Sequence, residues 1–253
     1  MKRISKIEII PIKIEADVFE KDISDVILKS ISQAKESLKK NDILVVTHKI
    51  ISKAENRLVN LAEINPSHKA KRIGKLQNKD PKIIELIISE ARELIKLRNG
   101  VIIAETRHGF ICANAGIDTS NVSAEGDIVA LLPVDSDYSA SKIRKAIWNK
   151  EKKDIAVVIS DTFGRPFREG QINIAIGVSG LNPIKSYIGK RDMYGKPLRV
   201  TEIAIADEIA SAAELVMKKS ACIPVVILRG LQYSSKPAKI SMLVRAKKND
   251  FFR

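Results

Sequence analysis

Residues 154–180 read DIAVVISDTFGRPFREGQINIAIGVSG, and the fold turns on how this stretch is read. Ile155, Ala156, Val157, Val158 and Ile159 form a short continuous apolar run, the pattern of a strand buried on both faces. The run ends in Ser160, Asp161 and Thr162, and Gly164 and Pro166 then break it. Arg165, Arg168 and Glu169 follow. A buried strand that delivers a carboxylate to its end, then opens into a Gly/Pro loop with two arginines, sets a metal ligand beside an anion site. A solvated loop whose Arg and Glu side chains pair with one another accounts for the same residues. The stretch by itself leaves both readings open.

Upstream, a helix is expected from Asp135 to Lys150, with Ile143, Ala146 and Ile147 inward, feeding this strand. Downstream, Ile174 to Ser179 is small and apolar, and residues 189–198 form a loop. An alanine-rich helix is expected from Val200 to Lys218, and a buried strand from Pro224 to Arg229. The first half carries a strand at Ile7–Ile14, an amphipathic helix at Asp22–Lys40 and a strand at Ile43–Thr47 that ends in His48-Lys49. Asp80-Pro81 starts a helix whose apolar positions, from Ile83 to Leu97, predict a deeply packed face. Asn99-Gly100 then turns the chain into a strand at Val101–Glu105, and a strand follows at Asp127–Leu132. The tail after residue 230 is expected to dock.

The chain of 253 residues is long enough for one large domain or two small ones. Its 45% hydrophobic and 29% charged residues are those of a globular protein. The net charge of +14 asks for an anionic partner, either nucleic acid or small polyanions such as nucleotides. Aromatics make up only 4% and lie scattered, which offers no stacking platform for single strands. Cys112 and Cys222 show no metal spacing and read as buried thiols in a reducing compartment. The N-terminus is interrupted by charges and reads as a strand rather than a signal peptide. No apolar run reaches the roughly 18 residues of a membrane span, so a cytoplasmic protein is expected.

A second unusual stretch, ETRHGFICANAGIDTSNV at 105–122, gathers Asp118 and Asn121 among glycines and small residues. Such residues let a ligand approach the backbone, and the hard oxygen donors suit magnesium or manganese. His48, Lys49 and Lys53 stand just past the second strand, where they can hold phosphates or simply face water. No GxxxxGK[ST] and no strand-borne GxGxxG occurs, which argues against P-loop and Rossmann folds; GxSxG and HExxH are absent too. The residues alone point to a metal-dependent enzyme acting on anionic, phosphorylated substrates.

Five collinear blocks carry more: VVTHKIISKAENR (45–57), RHGFICANAGIDTSN (107–121), SDTFGRPFREGQINIAIGVSG (160–180), VTEIAIADEIASAAELVM (200–217) and IPVVILRG (223–230). Together they resemble the coenzyme F420-0:gamma-glutamyl ligase family across nearly the whole chain. The resemblance implies an α+β fold of two intertwined α/β subdomains, residues 1–253 forming one bipartite domain, in a homodimer. It implies a GTP-dependent ligase joining L-glutamate to the coenzyme precursor F420-0 through an acyl phosphate, with a second, gamma-linked glutamate as a further step. Two magnesium or manganese ions per site are implied, with potassium as an additional candidate. By position, Asp118 and Asp161 resemble the metal-binding aspartates and Thr162 a ligand of the second metal. His48, Lys49, Lys53 and Asn121 resemble nucleotide contacts. Arg165, Arg168 and Glu169 fall in the central block and are expected to meet the carboxylates of glutamate or the coenzyme.

The chain departs from the family pattern twice. Residues 13–22 read KIEADVFEKD where the family has a Pro-Leu element and a Gly-Asp pair, and Lys218-Lys219-Ser220 stand where it has Gly-Gln. An ammonium cannot ligate a metal as an amide oxygen does. Lys219 therefore reads either as a fixed positive charge replacing part of the second-metal site or as a solvent-facing lysine. Rival functions are a related ligase for another amino acid or carboxylate, a basic nucleic-acid-binding protein, and a catalytically silent nucleotide binder.

Overall fold

The computed structural model describes residues 6–14, 22–120, 122 and 127–251. The first half runs β1 (Glu8–Ile12), α1 (Ile23–Gln33), β2 (Ile43–Thr47), α2 (His48–Ala54) and β3 (Leu58–Asn60). There follow α3 (His68–Gln77), α4 (Pro81–Glu90), β4 (Ala91–Arg98), β5 (Val101–Thr106), β6 (Ile111–Ala113) and β7 (Ile128–Ala130). The second half runs α5 (Ser136–Glu151), β8 (Ala156–Arg165), β9 (Arg168–Ser179), β10 (Lys185–Ser186), β11 (Glu202–Ile203), α6 (Ile205–Met217) and β12 (Val225–Arg229).

The continuous apolar runs become the middle of a five-stranded sheet ordered β1-β12-β2-β8-β9. Only β2 and β8 pair in parallel; every other neighbour is antiparallel. Ile43 to Val46 and Ala156 to Ile159 are each fully buried, which requires cover on both faces. α6 packs across β9, β8, β12 and β1, α5 across β8 and β9, and α1 against α5. Each isoleucine or valine so buried contributes roughly 1.5–3 kcal/mol of transfer free energy. At Gly177 the sheet meets Ser136 at the start of α5 so closely that an added Cβ would lie 2.5 Å from its backbone.

A second, smaller core joins α3, α4, β5, β7 and the turn at residues 114–116, centred on Ile84, Ile87, Ile102, Ala104 and Val129. It is contributed by the chain between α2 and α5, and β6 carries it against β8 of the main sheet. The molecule is therefore α+β, with two cores, and its single parallel strand pair is neither a Rossmann nor a P-loop sheet. Among the described residues no helix is long and apolar enough to cross a membrane.

Four expectations are corrected. The helix after Asp22 stops at Gln33 instead of running to Lys40, because Lys35 takes a positive φ and the Ala34 and Glu36 amides close on Ser30 and Ile31. The helix after Asp80 stops at Glu90, and residues 91–98 form β4 instead of its continuation. Asn99 and Gly100, both at positive φ, make a two-residue hairpin that pairs Arg98 with Val101 and draws the apolar residues 91–97 into a sheet. The helix expected from Val200 begins at Ile205, because Glu202–Ile203 pairs with Lys185–Ser186. The Gly/Pro loop expected after Ser160 is strand: β8 continues through Arg165, turns at Pro166-Phe167 and returns as β9. The tail docks as expected, with Lys247 donating to Glu93. The departure at residues 13–22 lies, from 15 to 21, outside the described residues.

Candidate functional site

The parallel register of β2 on β8 builds the site. Thr47 is aligned with Ser160, so the next residues, His48 and Asp161, emerge together where the parallel pairing of the two strands ends. Open α/β sheets bind ligands at this end of parallel strands. The Thr47 amide donates to Pro224 O, which brings the segment before β12 to the same end, and β9 returns Asn173 beside Thr162. The C-terminus of α6 closes the far wall. The resulting cleft of about 470 Å³ is lined by His48, Lys49, Lys53, Ser160, Asp161, Thr162, Asn173, Glu214, Lys218, Lys219 and Cys222, with Ile14, Met217 and Pro224 among its apolar residues.

On one wall, His48 is 1% exposed, and its Nε2 lies 3.1 Å from Asp161 Oδ1. The contact is close enough for an ion pair but too poorly aligned for a hydrogen bond, so Nε2 stands buried without a well-placed partner, as does Ser160 Oγ. Ser52 lies one turn along α2, its Oγ 3.5 Å from His48 Nδ1 and donating to Leu131 O at 2.7 Å. The Asp161 carboxylate accepts from the Thr162 amide at 2.6 Å. Burial first, and then the Asp161 charge, push the thiol of Cys112 up to about 12, so this cysteine is an inert core residue.

The neighbouring lysine reaches the second stretch. Lys49 Nζ lies 2.8 Å from Asp118 Oδ2 and donates to Ser120 O and Ser120 Oγ at 3.0 and 3.1 Å. Asp118 is fixed by a reciprocal pair of backbone hydrogen bonds with Ala130 on β7. Burial alone would raise its carboxyl, but hydrogen bonds from Lys49 and Ser120 and the Lys49 charge outweigh that and hold it below the ordinary aspartate value. Asp118 and Asp161, 43 positions apart in sequence, are thus held by consecutive residues of α2. Asp161 lines the cleft directly, while Asp118 stands behind Lys49.

The opposite wall is a polar ring. Thr162 Oγ1 donates to Asn173 Oδ1 at 2.7 Å and accepts from Lys219 Nζ at 2.6 Å. Asn173 Nδ2 donates to Glu214 Oε2 at 2.8 Å, and Lys219 Nζ lies 3.3 Å from Glu214 Oε1. Of the acidic residues along α6, Glu214 is the one that faces the site. Asp207 is half-buried on the Ala175 amide.

Arg165, Arg168 and Glu169 do not line the cleft. They sit at the far end of the β8–β9 hairpin, four residues beyond Asp161, or about 13 Å at the rise of a strand. The Arg165 guanidinium donates to Glu169 O and Gly170 O within its own turn. Asn121 lies outside the described residues. His108 lies outside the cleft lining: it stacks on Phe110, and its Nε2 lies 2.9 Å from Pro133 O. Asn173 and Cys222 were not expected in the site, and Cys222, expected to be buried, is exposed. The signal for Asn173 is a lone amide within the apolar strand pattern of residues 172–178; for Cys222, nothing local distinguishes it from a core thiol.

Carboxylate, hydroxyl and amide oxygens and several ammonium groups line one open cleft of this α+β protein. Among the described residues no three His, Cys, Asp or Glu side chains converge as a metal site. The family model described as F420-0:Gamma-glutamyl ligase matches residues 12–230. The chain is 43% identical over 235 residues to the coenzyme F420:L-glutamate ligase of Methanothermobacter thermautotrophicus, covering 92% of both chains. It is 42% identical over 221 residues to that of Methanocaldococcus jannaschii, covering 87% of this chain and 88% of the relative. With that of Methanopyrus kandleri it shares 40% over 237 residues, 92% and 91% of the two chains. The chain belongs to the F420-0:gamma-glutamyl ligase family.

Proposed function

We propose that this chain, as a homodimer, joins L-glutamate to the coenzyme precursor F420-0 with GTP as co-substrate and a magnesium or manganese ion in the cleft. The observation that carries the reading is the meeting of His48, Lys49, Lys53 and Lys219 around Asp161, in a chain whose relatives bear the name of F420:L-glutamate ligases. Asp161 fits one hard cation, as an anchored carboxylate lining the cleft with the buried His48 Nε2 beside it left without an aligned partner, whereas Asp118 lies outside that lining and is engaged by the Lys49 ammonium. Thr162 and Lys219 do not fit a second, because the ammonium already engages the hydroxyl.

When bound, the cation supplies charge neutralisation at the transferring phosphoryl group. Lys49, Lys53 and Lys219 bind and orient the phosphates. The precursor's carboxylate oxygen attacks the terminal phosphorus and GDP leaves, giving an acyl phosphate. The glutamate amine then attacks the carbonyl carbon, the C–O bond to phosphate breaks, and the amine loses a proton. Arg165, Arg168 and Glu169, at the far end of the hairpin and outside the cleft lining, take no part in these steps. Addition of a second, gamma-linked glutamate follows the same steps. A coupled assay tests the reading: GDP release should require both F420-0 and glutamate. Release that proceeds equally without either one, or no release at all, would refute it.

A further inference from the structure

The ring on the far wall closes through four side chains: Lys219 to Thr162, Thr162 to Asn173, Asn173 to Glu214, and Glu214 back to Lys219. Asn173 is 3% exposed, and its amide orientation is forced. Reversed, it would present its carbonyl to the Glu214 carboxylate, two acceptors facing each other with no proton between them. With the amide so fixed, the single Thr162 proton is committed to Asn173, and one of its lone pairs is committed to the ammonium. A threonine hydroxyl, a carboxylate and a nearby aspartate are a donor set that suits a hard divalent ion. Here a cation is already covalently supplied. The Lys219 ammonium has no lone pair to offer a metal, and a divalent ion seated on Thr162 would meet it at close range. The Lys219 side chain is also 59% exposed, so its charge opens toward the space a polyanion enters.

We propose that the Lys219 ammonium takes the place of a second divalent ion, so that the cleft holds one metal per chain and grips the terminal phosphates of the nucleotide from this side with a fixed protein charge. Glu214 and Asn173 are positioning residues: they hold Thr162 and Lys219 in the ring and need not touch substrate. The inference rests on the metal-and-nucleotide reading above and deepens it.

The test counts tightly bound manganese per chain, by equilibrium dialysis of the full chain with a saturating non-hydrolysable GTP analogue, and measures analogue affinity in parallel. Wild type should bind one ion. Lys219→Gln, which supplies an amide oxygen beside Thr162, should bind two. Lys219→Met, which removes the charge and adds no oxygen, should bind one and lose about tenfold or more in analogue affinity at fixed manganese. Circular dichroism and melting curves would show whether each variant keeps its fold. Two ions in wild type, one in a folded Lys219→Gln, or unchanged analogue affinity in Lys219→Met would each overturn the substitution. Wild type that takes up neither manganese nor analogue would instead defeat the underlying reading, and the inference with it.

Discussion

Asp161 carries more of the proposed chemistry than any other side chain, because it alone joins the strand end, His48 and the open cleft. Asp161→Asn keeps the shape and the Thr162 amide contact but removes the charge. Turnover should fall by at least about 100-fold, with the melting temperature nearly unchanged. A loss below about tenfold would remove Asp161 from the reaction. Asp207 offers a pH test away from the cleft. Burial first raises its carboxyl above the ordinary value of 3.8, and the Ala175 hydrogen bond only partly opposes this. A raised folded value means that ionisation costs stability at neutral pH and costs nothing once both states are protonated. Asp207→Asn, whose carbonyl can still accept from Ala175, should therefore melt higher than wild type near pH 7. That gain should vanish as the pH falls through the raised folded value toward 3.8. A gain that persists at low pH would assign the effect to packing.

At the scale of elements, the β8–β9 hairpin and its seat on α5 decide whether the site forms. Gly177 is where the sheet meets Ser136, and a methyl group there would lie 2.5 Å from backbone atoms. Gly177→Ala should cost about 1–3 kcal/mol, which in a chain of this size lowers the melting temperature by about 2–4 °C per kcal/mol. Gly164→Ala, on the same hairpin with nothing within 4 Å, should leave it unchanged. Equal effects at the two positions would show that the close approach is absent in solution. The hairpin also shows where sequence reading stops. The apolar run 155–159 announces only the part of β8 buried on both faces. Beyond Ser160 the strand is held by pairing with β9, and backbone pairing leaves no apolar signature. Residues 83–97 mislead for the opposite reason: their apolar spacing suits one long helix, yet the Asn99-Gly100 hairpin gives residues 91–98 a strand partner and tertiary pairing overrides the period. The strand ends that carry His48 and Asp161 were legible, because continuous apolar runs mark buried parallel strands. The Asn173–Glu214 contact was not, since it joins side chains 41 positions apart across a register that only the folded sheet defines.

For the molecule as a whole, the net charge of +14 is the property with two explanations. A nucleic-acid-binding protein would bind generic duplex DNA with an affinity falling steeply in salt and indifferent to Asp161→Asn. The cleft places ammonium groups around one carboxylate rather than along an exposed stripe, so the charge is expected to serve small polyanions. The most direct measurement is mass spectrometry of the coenzyme after incubation of the full chain with F420-0, GTP, manganese and L-glutamate. The product should gain one glutamyl residue or a second, with GDP and phosphate released in step, and Asp161→Asn should give none. Unmodified F420-0 from folded wild type, or glutamyl addition that proceeds without GTP, would contradict the account.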